Sequence, residues 1–292
     1  MAIVSLREML QDARRGRYAV PLFDAQNMGM IRAAVEVAEE EDSPVIIAGG
    51  EADFVGSRLG YWKALAFHAA AGAKVPVCIM LDHGASLESC IRCADAGFTG
   101  VMIDASGLPF EGNIEASRRV CSEMRRRGVS VEAELGHVGM ASADTVAELE
   151  GDSAGTVYTE PGSVAEFVER TGCDALAVSI GTAHGVYATA PELRIDLLRE
   201  LERVSPVPLV LHGGSGTPDA QVRDAVRNGI AKINICSELM SAWNRAASAE
   251  LAKAPNDSIH NLAVCRPAET AVREVMRAKI RLFGCGGRRG IA

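Results

Sequence analysis

Residues 77–84 read Val-Cys-Ile-Met-Leu-Asp-His-Gly, and this segment is one of several short apolar runs along the chain that end in polar residues. Its first five residues are apolar, and an uninterrupted apolar run is typical of a strand buried on both faces of a parallel sheet. The run ends in Asp82 and His83. We therefore expect a buried strand that delivers a carboxylate and an imidazole to its carboxyl end.

Similar short runs alternate with amphipathic helical patterns along the whole chain, which favours consecutive βα units. The predicted strands cover residues 18–23, 45–48, 77–82, 100–104, 130–135, 175–180, 209–212 and 231–235. Predicted helices include residues 28–40, 87–96, 114–127, 164–171, 219–228 and 238–252. Eight βα units in 292 residues predict a TIM (β/α)8 barrel, in one domain spanning residues 1–292. Further helices are expected near both ends, one opening at Ser5 and one over residues 266–282.

Composition excludes several classes of partner. The formal net charge of −8 provides no field that would attract a nucleic acid or an anionic membrane, so we expect neither. The amino-terminal residues lack the apolar stretch of a signal peptide, and no segment is apolar enough to span a bilayer. The eight cysteines are interpreted as reduced thiols. Together these features predict a cytoplasmic protein.

Reactive side chains concentrate at the predicted strand ends, where TIM barrels build their active sites. Three of the six histidines, His83, His184 and His212, fall at the ends of three different strands. Three imidazoles with one open position suit a catalytic zinc ion. Asp104 and Glu134 lie at neighbouring strand ends. They are expected either to orient a ligating imidazole or to offer an alternative position for the metal.

The other three histidines, His68, His137 and His260, are interpreted as structural. His137 is kept open as a site residue because it begins the longest unpatterned stretch, residues 136–162. A connection of this length inside a compact domain is usually a functional lid or a disordered segment.

Glycine-rich turns follow two adjacent predicted strands. Residues 181–185 read Gly-Thr-Ala-His-Gly and residues 212–216 read His-Gly-Gly-Ser-Gly. Such turns leave backbone N–H groups free to approach an anion. With Asn234 and Ser237 after the last strand, they match the phosphate-binding corner of many TIM barrels.

The same residues carry a resemblance to the class II, zinc-dependent fructose- and tagatose-bisphosphate aldolases that extends over nearly the whole chain. The shared segments are YAVPLF (18–23), SPVIIAGG (43–50), LDHG (81–84), MIDASGLPFEGNI (102–114), VEAELG (131–136), TGCDALAVSIGTAHGVY (171–187), PLVLHGGSG (208–216) and KINICSEL (232–239). The resemblance implies an aldolase that cleaves a phosphorylated ketose into dihydroxyacetone phosphate and an aldehyde. It also implies a homo-oligomer, a dimer or a tetramer.

The resemblance also implies individual roles. It gives the zinc to His83, His184 and His212, and acid/base catalysis at the substrate C4 hydroxyl to Asp82. The residues implied to bind the dihydroxyacetone phosphate end are Gly185, Gly213, Ser215, Asn234 and Ser237. A monovalent cation, Na+ or K+, beside the phosphate is common in the family. A loop carboxylate handles the second proton transfer, and the candidates are Asp144, Glu148, Glu150 and Asp152.

This chain departs from the family pattern at four places, one of which is Cys285, where a small hydroxyl residue is usual. Asp24 stands where an asparagine is common, and a carboxylate there would repel a phosphate. Gly107 stands where a histidine is frequent, and the loop segment at residues 139–144 lacks its usual glutamate. These departures concern the aldehyde half of the substrate, so Asp24 is predicted to influence specificity.

Two other functions stay open at this point. One is a different metal-dependent reaction on a phosphosugar, such as an epimerisation or isomerisation, which shares the enediolate chemistry but breaks no carbon–carbon bond. The other is a non-catalytic subunit that stabilises a partner aldolase, for which loss of the zinc ligands would be the expected mark. All three histidines are present.

Overall fold

The structure, a computed structural model, describes residues 3–141, 155–254 and 258–288. Its strands are β1 Val20–Asp24, β2 Val45–Gly50, β3 Val77–Gly84, β4 Gly100–Ile103, β5 Ser130–Leu135, β6 Ala175–Val178, β7 Leu209–Leu211 and β8 Ile230–Ile235. Each strand pairs in parallel with the next and β8 pairs with β1, which closes the barrel. The predicted TIM barrel is confirmed.

The described part of the chain contains ten α-helices. They are α1 Leu6–Gly16, α2 Met28–Glu40, α3 Arg58–Ala71, α4 Leu87–Asp95, α5 Phe110–Arg127, α6 Pro161–Thr171, α7 Ile195–Val204, α8 Asp219–Arg227, α9 Ser237–Leu251 and α10 Asn261–Phe283. No helix within the described ranges has both the length and the apolar composition that crossing a membrane requires.

Helix boundaries follow local chemistry. The side chain of Ser5 accepts from the backbone N–H of Glu8 while the Glu8 carboxylate reaches back, a capping box that starts α1. Helix α5 ends at Gly128, whose φ of 70° is readily adopted by glycine. His260 caps α10 by accepting from the N–H of Leu262, which agrees with its interpretation as structural.

Several strand and helix boundaries differ from the predicted ones, and the sequence analysis does not predict two of the helices, α3 and α7. Strand β1 begins at Val20 rather than at Tyr18 because the preceding residues have other partners. The Tyr18 hydroxyl donates to Asp12 of α1 at 2.8 Å, and the Ala19 N–H donates to the carbonyl of Phe283 in α10 at 3.1 Å. The ends of the chain thus anchor the entry to the first strand.

An ion pair crosses the barrel interior between two strands that are not neighbours. Lys232 of β8 donates from Nζ to Glu132 Oε1 of β5 at 2.9 Å, and both side chains are fully buried. Removing two charges from water costs several kcal/mol each, so such a pair persists only with good geometry and further hydrogen bonds. Lys232 has one, to Asn234 Oδ1 at 2.7 Å.

This pair predicts a measurable stability effect. In Lys232→Met the Glu132 carboxylate loses its buried cation, and we expect the free energy of unfolding to fall by about 3–5 kcal/mol. The double variant Lys232→Met/Glu132→Gln should lose less, because no uncompensated charge remains inside. Urea denaturation followed by circular dichroism measures both values.

The control is Lys253→Met, which removes an exposed lysine that pairs with Glu250 on the surface. It should change stability by no more than about 0.5 kcal/mol. If the single and double variants unfold at the same urea concentration, Lys232 does not serve to neutralise Glu132.

Candidate active site

Three histidines from three different strand exits converge at the mouth of the barrel. His83 lies in β3, His212 follows β7 directly, and His184 lies in the connection after β6. One ring nitrogen of each lies within 4.8 Å of the others. The ring centroid of His83 lies 4.8 Å from the ring centroid of His184 and 4.8 Å from that of His212. The structure therefore brings together the three histidines that the sequence places at predicted strand ends.

The backbone at His83 is unusual. Its φ is 45°, in the left-handed region that few non-glycine residues adopt, and the pairing of β3 with β4 shifts register between Leu81 and Gly84. A β-bulge of this kind re-aims a side chain, and strained residues cluster at functional sites. The bulge turns the imidazole of His83 toward the other two histidines.

Carboxylates orient two of the three imidazoles. His83 Nδ1 lies 2.8 Å from Asp104 Oδ2, and His212 Nε2 lies 2.9 Å from Glu132 Oε1. An ionised carboxylate only accepts hydrogen bonds, so these two ring nitrogens are the donors. The opposite nitrogens, His83 Nε2 and His212 Nδ1, then carry lone pairs, and they lie 3.1 Å apart.

The third imidazole completes the set. His184 Nε2 is buried and has no hydrogen-bond partner among the residues that the structure describes. The backbone of His184 is held by two hydrogen bonds, its N–H to Gly139 and its carbonyl from Ala141, each of 2.8 Å. A buried nitrogen without a partner and two facing lone pairs are what a bound cation would satisfy. The residues present therefore fit a metal ion.

Electrostatics keeps these ligands available. Burial, followed by the neighbouring His83 and His212, lowers the pKa of His184 well below 6.5. Burial, His83 and Lys232 likewise lower the pKa of His212 well below that value. Both imidazoles are therefore neutral at pH 7, the form in which histidine binds metals.

Asp82 lies at the end of a hydrogen-bonded chain that begins at the buried ion pair. The Lys232 ammonium donates to the side-chain oxygen of Asn234, so the Asn234 amide nitrogen points the other way. That nitrogen donates to both carboxylate oxygens of Asp82 at 3.0 Å. Burial would raise the pKa of Asp82, but His83, His212 and Lys232 together lower it. Asp82 is therefore ionised and fixed in direction.

A second polar cluster shares His83. Together with Asp104 and Glu134 it offers ligand atoms within 4.8 Å of one another. Burial opposes ionisation of Asp104, yet hydrogen bonds from His83 and Ser106 hold the pKa of that carboxyl well below its usual range. Burial and then the Asp104 charge raise the pKa of Glu134 to about 8. At neutral pH Asp104 is therefore ionised and Glu134 is largely neutral.

His137 belongs to this second cluster rather than to the loop alone. Its Nδ1 lies 2.8 Å from the Ser106 hydroxyl, which donates to Asp104 at 2.7 Å. His137 also pairs with Val157 in an isolated antiparallel bridge at the root of the long connection. The sequence interpretation of His137 as structural, yet open, matches this placement.

The glycine-rich turns that contain His184 and His212 meet at the exits of β6 and β7. Gly213 has a φ of 64°, and a Cβ placed there would lie 2.3 Å from the carbonyl oxygen of Ala183. The Tyr187 hydroxyl lies 2.7 Å from the Ala183 carbonyl and 2.9 Å from the Gly213 carbonyl, and it accepts from the Ala183 N–H at 2.8 Å. Tyr187 links the two turns, and the absence of a side chain at Gly213 allows them to approach each other closely.

The residues predicted to bind phosphate lie in or beside these turns. Gly185 has a φ of 92°, and Ser237 is the buried first residue of α9. The Ser215 hydroxyl accepts from the N–H groups of Cys236 and Glu238 at 3.2 and 3.3 Å, so it caps the start of α9. The side-chain amide of Asn234 contacts Asp82 and Lys232, while its backbone carbonyl accepts from the N–H of Gly214 in the second turn at 3.2 Å.

One further predicted site residue, Asp24, lies within the described ranges. Asp24 ends β1 with 7% of its surface exposed, and it belongs to neither group of candidate metal ligands. The loop carboxylates Asp144, Glu148, Glu150 and Asp152 lie outside the described residues.

Sequence reasoning missed Lys232, Glu132 and Tyr187 as parts of the site. The first two carried a usable signal, because alternate residues of a strand point to the same face. Lys232 precedes Asn234 by two residues, and Glu132 precedes Glu134 by two. Tyr187 carried none, since its partners come from separate turns.

Comparisons with known proteins agree with this geometry. A family model described as class II fructose-bisphosphate aldolase matches residues 4–288. The chain is 39% identical over 293 residues to a fructose-bisphosphate aldolase of Geobacillus stearothermophilus, covering 99% of each protein. It is 40% identical over 289 residues to a probable fructose-bisphosphate aldolase of Bacillus subtilis, covering 97% of this chain and 98% of that one.

Among solved structures, the YdjI aldolase of Escherichia coli K12 superposes with a TM-score of 0.86 at 35% identity, over 99% of this chain and all of the other. The match therefore includes the barrel and every strand exit that carries a candidate site residue. Because the family model and both relatives cover nearly the whole length, the chain belongs to the class II fructose-bisphosphate aldolase family and is a carbon–carbon lyase.

Proposed function

We propose that this enzyme reversibly cleaves a phosphorylated ketose, similar to fructose or tagatose bisphosphate, into dihydroxyacetone phosphate and an aldehyde, with one zinc ion. The observation that carries the proposal is the orientation of the three imidazoles. Carboxylates hold two of them with their lone pairs facing inward, and Nε2 of the third is buried with no hydrogen-bond partner among the described residues. Family membership supports a metal-dependent aldol reaction at such a site.

In this proposal His83, His184 and His212 hold the metal. A bound zinc ion supplies Lewis acidity, which stabilises the negative charge that develops on the ketone oxygen when the C3–C4 bond breaks. Glu132 and Asp104 keep His212 and His83 in the tautomers that ligation needs. Metal affinity thus depends on these two carboxylates as well as on the ligands.

Asp82 accepts the proton of the C4 hydroxyl during cleavage and returns it during condensation. Its low pKa suits a base at neutral pH, and the two hydrogen bonds from Asn234 fix its carboxylate plane. A carboxylate of the long connection transfers the proton at C3 of dihydroxyacetone phosphate. The candidates are Asp144, Glu148, Glu150 and Asp152.

The phosphate end lies against the glycine-rich turns. Gly185, Gly213, Ser215 and Ser237 would contact it, with Asn234 between this end and the reacting carbons. These groups convert phosphate binding into alignment of the C3–C4 bond. A monovalent cation, Na+ or K+, beside the phosphate is part of the proposal, as are a homo-oligomeric state and a cytoplasmic location.

The two alternative functions are less well supported. An epimerase or isomerase that breaks no carbon–carbon bond needs no acid/base group at the C4 oxygen. Asp82 is proposed to act at that oxygen. A non-catalytic subunit would not need three oriented imidazoles. Detection of triose phosphate from a ketose bisphosphate distinguishes both from an aldolase.

The enzyme should require a divalent metal. Chelation is expected to abolish cleavage, and zinc or cobalt should restore it. His184→Ala should lower the bound zinc measured by mass spectrometry, whereas His68→Ala, which removes an exposed histidine of α3, should keep it. Full cleavage by a verified metal-free preparation would rule out the proposal.

Asp82→Asn should separate the two proton transfers. Cleavage is expected to fall about a hundredfold or more, the range for loss of a general acid/base group. Exchange of the C3 proton of dihydroxyacetone phosphate with solvent should largely survive, because it needs no transfer at the C4 oxygen. Deuterium uptake by NMR beside a coupled cleavage assay measures both.

Zinc content must be equal in wild type and Asp82→Asn for this comparison. Equal losses of exchange and cleavage at full zinc would mean that Asp82 positions the substrate or metal. Near-normal cleavage would remove it from the mechanism.

Asp24 should disfavour a second phosphate near the end of β1. A carboxylate this buried would repel a nearby phosphate by on the order of 1 kcal/mol or more. Asp24→Asn should therefore raise kcat/KM for ketose bisphosphates relative to ketose monophosphates. A strong wild-type preference for bisphosphates that the substitution leaves unchanged would show that Asp24 does not set selectivity.

A further inference from the structure

We propose that His137 is a positioning residue for the candidate metal ligand His83, on which it acts through Ser106 and Asp104. The inference rests on the proposed function, because it requires a metal ion at the three histidines. His137 follows β5 by two residues and is nearly buried, with 8% of its surface exposed. Its ring and its backbone have different partners, and together they connect the root of the long connection to the ligand set.

The carboxylates that orient the two ligands are held in different ways. Glu132, which orients His212, is fully buried and accepts a hydrogen bond from the Lys232 ammonium at 2.9 Å. Asp104, which orients His83, has a side chain that is 28% exposed. A carboxylate that solvent reaches can rotate unless hydrogen bonds hold both of its oxygens. The direction of Asp104 therefore depends on its hydrogen-bond partners.

Ser106 holds the oxygen of Asp104 that does not face the metal ligand. Its hydroxyl donates to Asp104 Oδ1 at 2.7 Å, and its backbone N–H donates to the same oxygen at 3.1 Å. A serine hydroxyl carries one hydrogen and rotates to suit its partners. It keeps this direction when a second partner donates to its oxygen, and His137 is such a partner.

The ring of His137 donates to Ser106. Nδ1 of His137 lies 2.8 Å from the hydroxyl oxygen of Ser106. Because the hydrogen of that hydroxyl is directed at Asp104, its oxygen accepts from the ring, and Nδ1 of His137 carries the proton. The hydrogen bonds therefore run in one direction from His137 through Ser106 to Asp104, and each strengthens the next.

The backbone fixes the position from which this ring donates. The N–H of His137 donates to the carbonyl of Val157, and the carbonyl of His137 accepts from the N–H of Val157, each at 2.8 Å. At Gly136, whose φ is 83°, a Cβ would lie 2.7 Å from both the Val157 carbonyl oxygen and Thr159 Oγ1. A glycine is needed for so close an approach. The two ends of the long connection are thus joined at the residue that supports Ser106.

The segment that begins at His137 also contacts a second candidate ligand. The carbonyl of Gly139 accepts from the N–H of His184, and the N–H of Ala141 donates to the carbonyl of His184, each at 2.8 Å. Residues 137–141 therefore act on His184 through the backbone and on His83 through the His137 ring. A substitution that changes only the ring tests the second of these connections by itself.

The test compares the zinc affinity of two variants that have the same shape. Leucine and asparagine both branch at Cγ, but asparagine alone places an N–H donor where Nδ1 of histidine lies. His137→Leu should raise the zinc dissociation constant about fivefold, which is less than the effect of removing a group that contacts the ligand itself. His137→Asn should bind zinc as tightly as wild type. Competition with a chelating indicator measures these constants.

Cobalt provides a second readout that does not depend on activity. The visible absorption of bound Co2+ reports the geometry of its ligands. The spectrum of His137→Leu should differ from that of wild type, because His83 is less well oriented. The spectrum of His137→Asn should match wild type.

A double-mutant cycle tests whether the ring acts through the hydroxyl. Ser106→Ala should weaken zinc binding at least as much as His137→Leu does. The double variant Ser106→Ala/His137→Leu should bind zinc no more weakly than Ser106→Ala, because the ring has no other route to Asp104 in this proposal. Additive losses would show that His137 supports the fold of the site instead, and they would overturn the inference.

Thr171→Val is the matched control, because it removes a buried hydroxyl that donates to the carbonyl of Phe167 at 2.8 Å. Thr171 ends α6 and precedes β6, so it lies at the end of the barrel opposite the mouth. Its zinc dissociation constant should equal that of wild type. If circular dichroism shows that His137→Leu does not fold, His137→Gln replaces it with the same expected loss, since its amide reaches the position of Nε2 rather than that of Nδ1.

The results separate this inference from the proposed function. If wild type binds zinc and His137→Leu binds it equally tightly, or if His137→Asn binds zinc as weakly as His137→Leu, the inference is wrong and the proposed function stands. If wild type binds no zinc, the proposed function fails and the inference fails with it.

Discussion

The hydrogen bonds that Glu132 accepts inside the barrel support the rest of the site. One of its oxygens lies 2.9 Å from both Lys232 Nζ and His212 Nε2, and all three side chains are fully buried. An isolated carboxylate would not be stable there, and neither would an isolated ammonium group. Together they form a pair whose geometry determines which nitrogen of His212 faces the proposed metal.

The same lysine extends this constraint to the acid/base residue. Through Asn234 it fixes the plane of the Asp82 carboxylate, so one buried cation orients a proposed metal ligand and the proposed base. Buried polar networks are stable only when nearly every member is satisfied, and a change at one position is then felt at the others. We therefore expect a substitution of Lys232 to disturb both the proposed ligand His212 and the proposed base Asp82.

The mouth of the barrel is divided by the charge of its strand exits. Backbone N–H groups and hydroxyls occupy the exits of β6, β7 and β8, which suits a phosphate at the end of the substrate that the family shares. The exits of β1, β3 and β4 carry the carboxylates of Asp24, Asp82 and Asp104, so a second anion is disfavoured near these exits.

Much of this architecture could be predicted from the sequence because it depends on local patterns. Apolar runs between helical segments indicated eight strands, and the placement of His83, His184 and His212 at strand ends indicated a candidate metal site. A barrel brings all of its strand ends to one mouth, so no knowledge of individual contacts was needed. The boundary of β1 was less predictable, since Tyr18 and Ala19 are held by helices at the two ends of the chain.

What only the tertiary structure decided are the contacts between residues that are distant in sequence. Lys232 and Glu132 are separated by 100 residues, and Asn234 and Asp82 by 152. No periodicity in a single segment encodes such a pairing, because it depends on how the strands are staggered around the barrel. The sequence by itself determined which chemical groups reach the mouth of the barrel, and the stagger of its strands decided which of them touch.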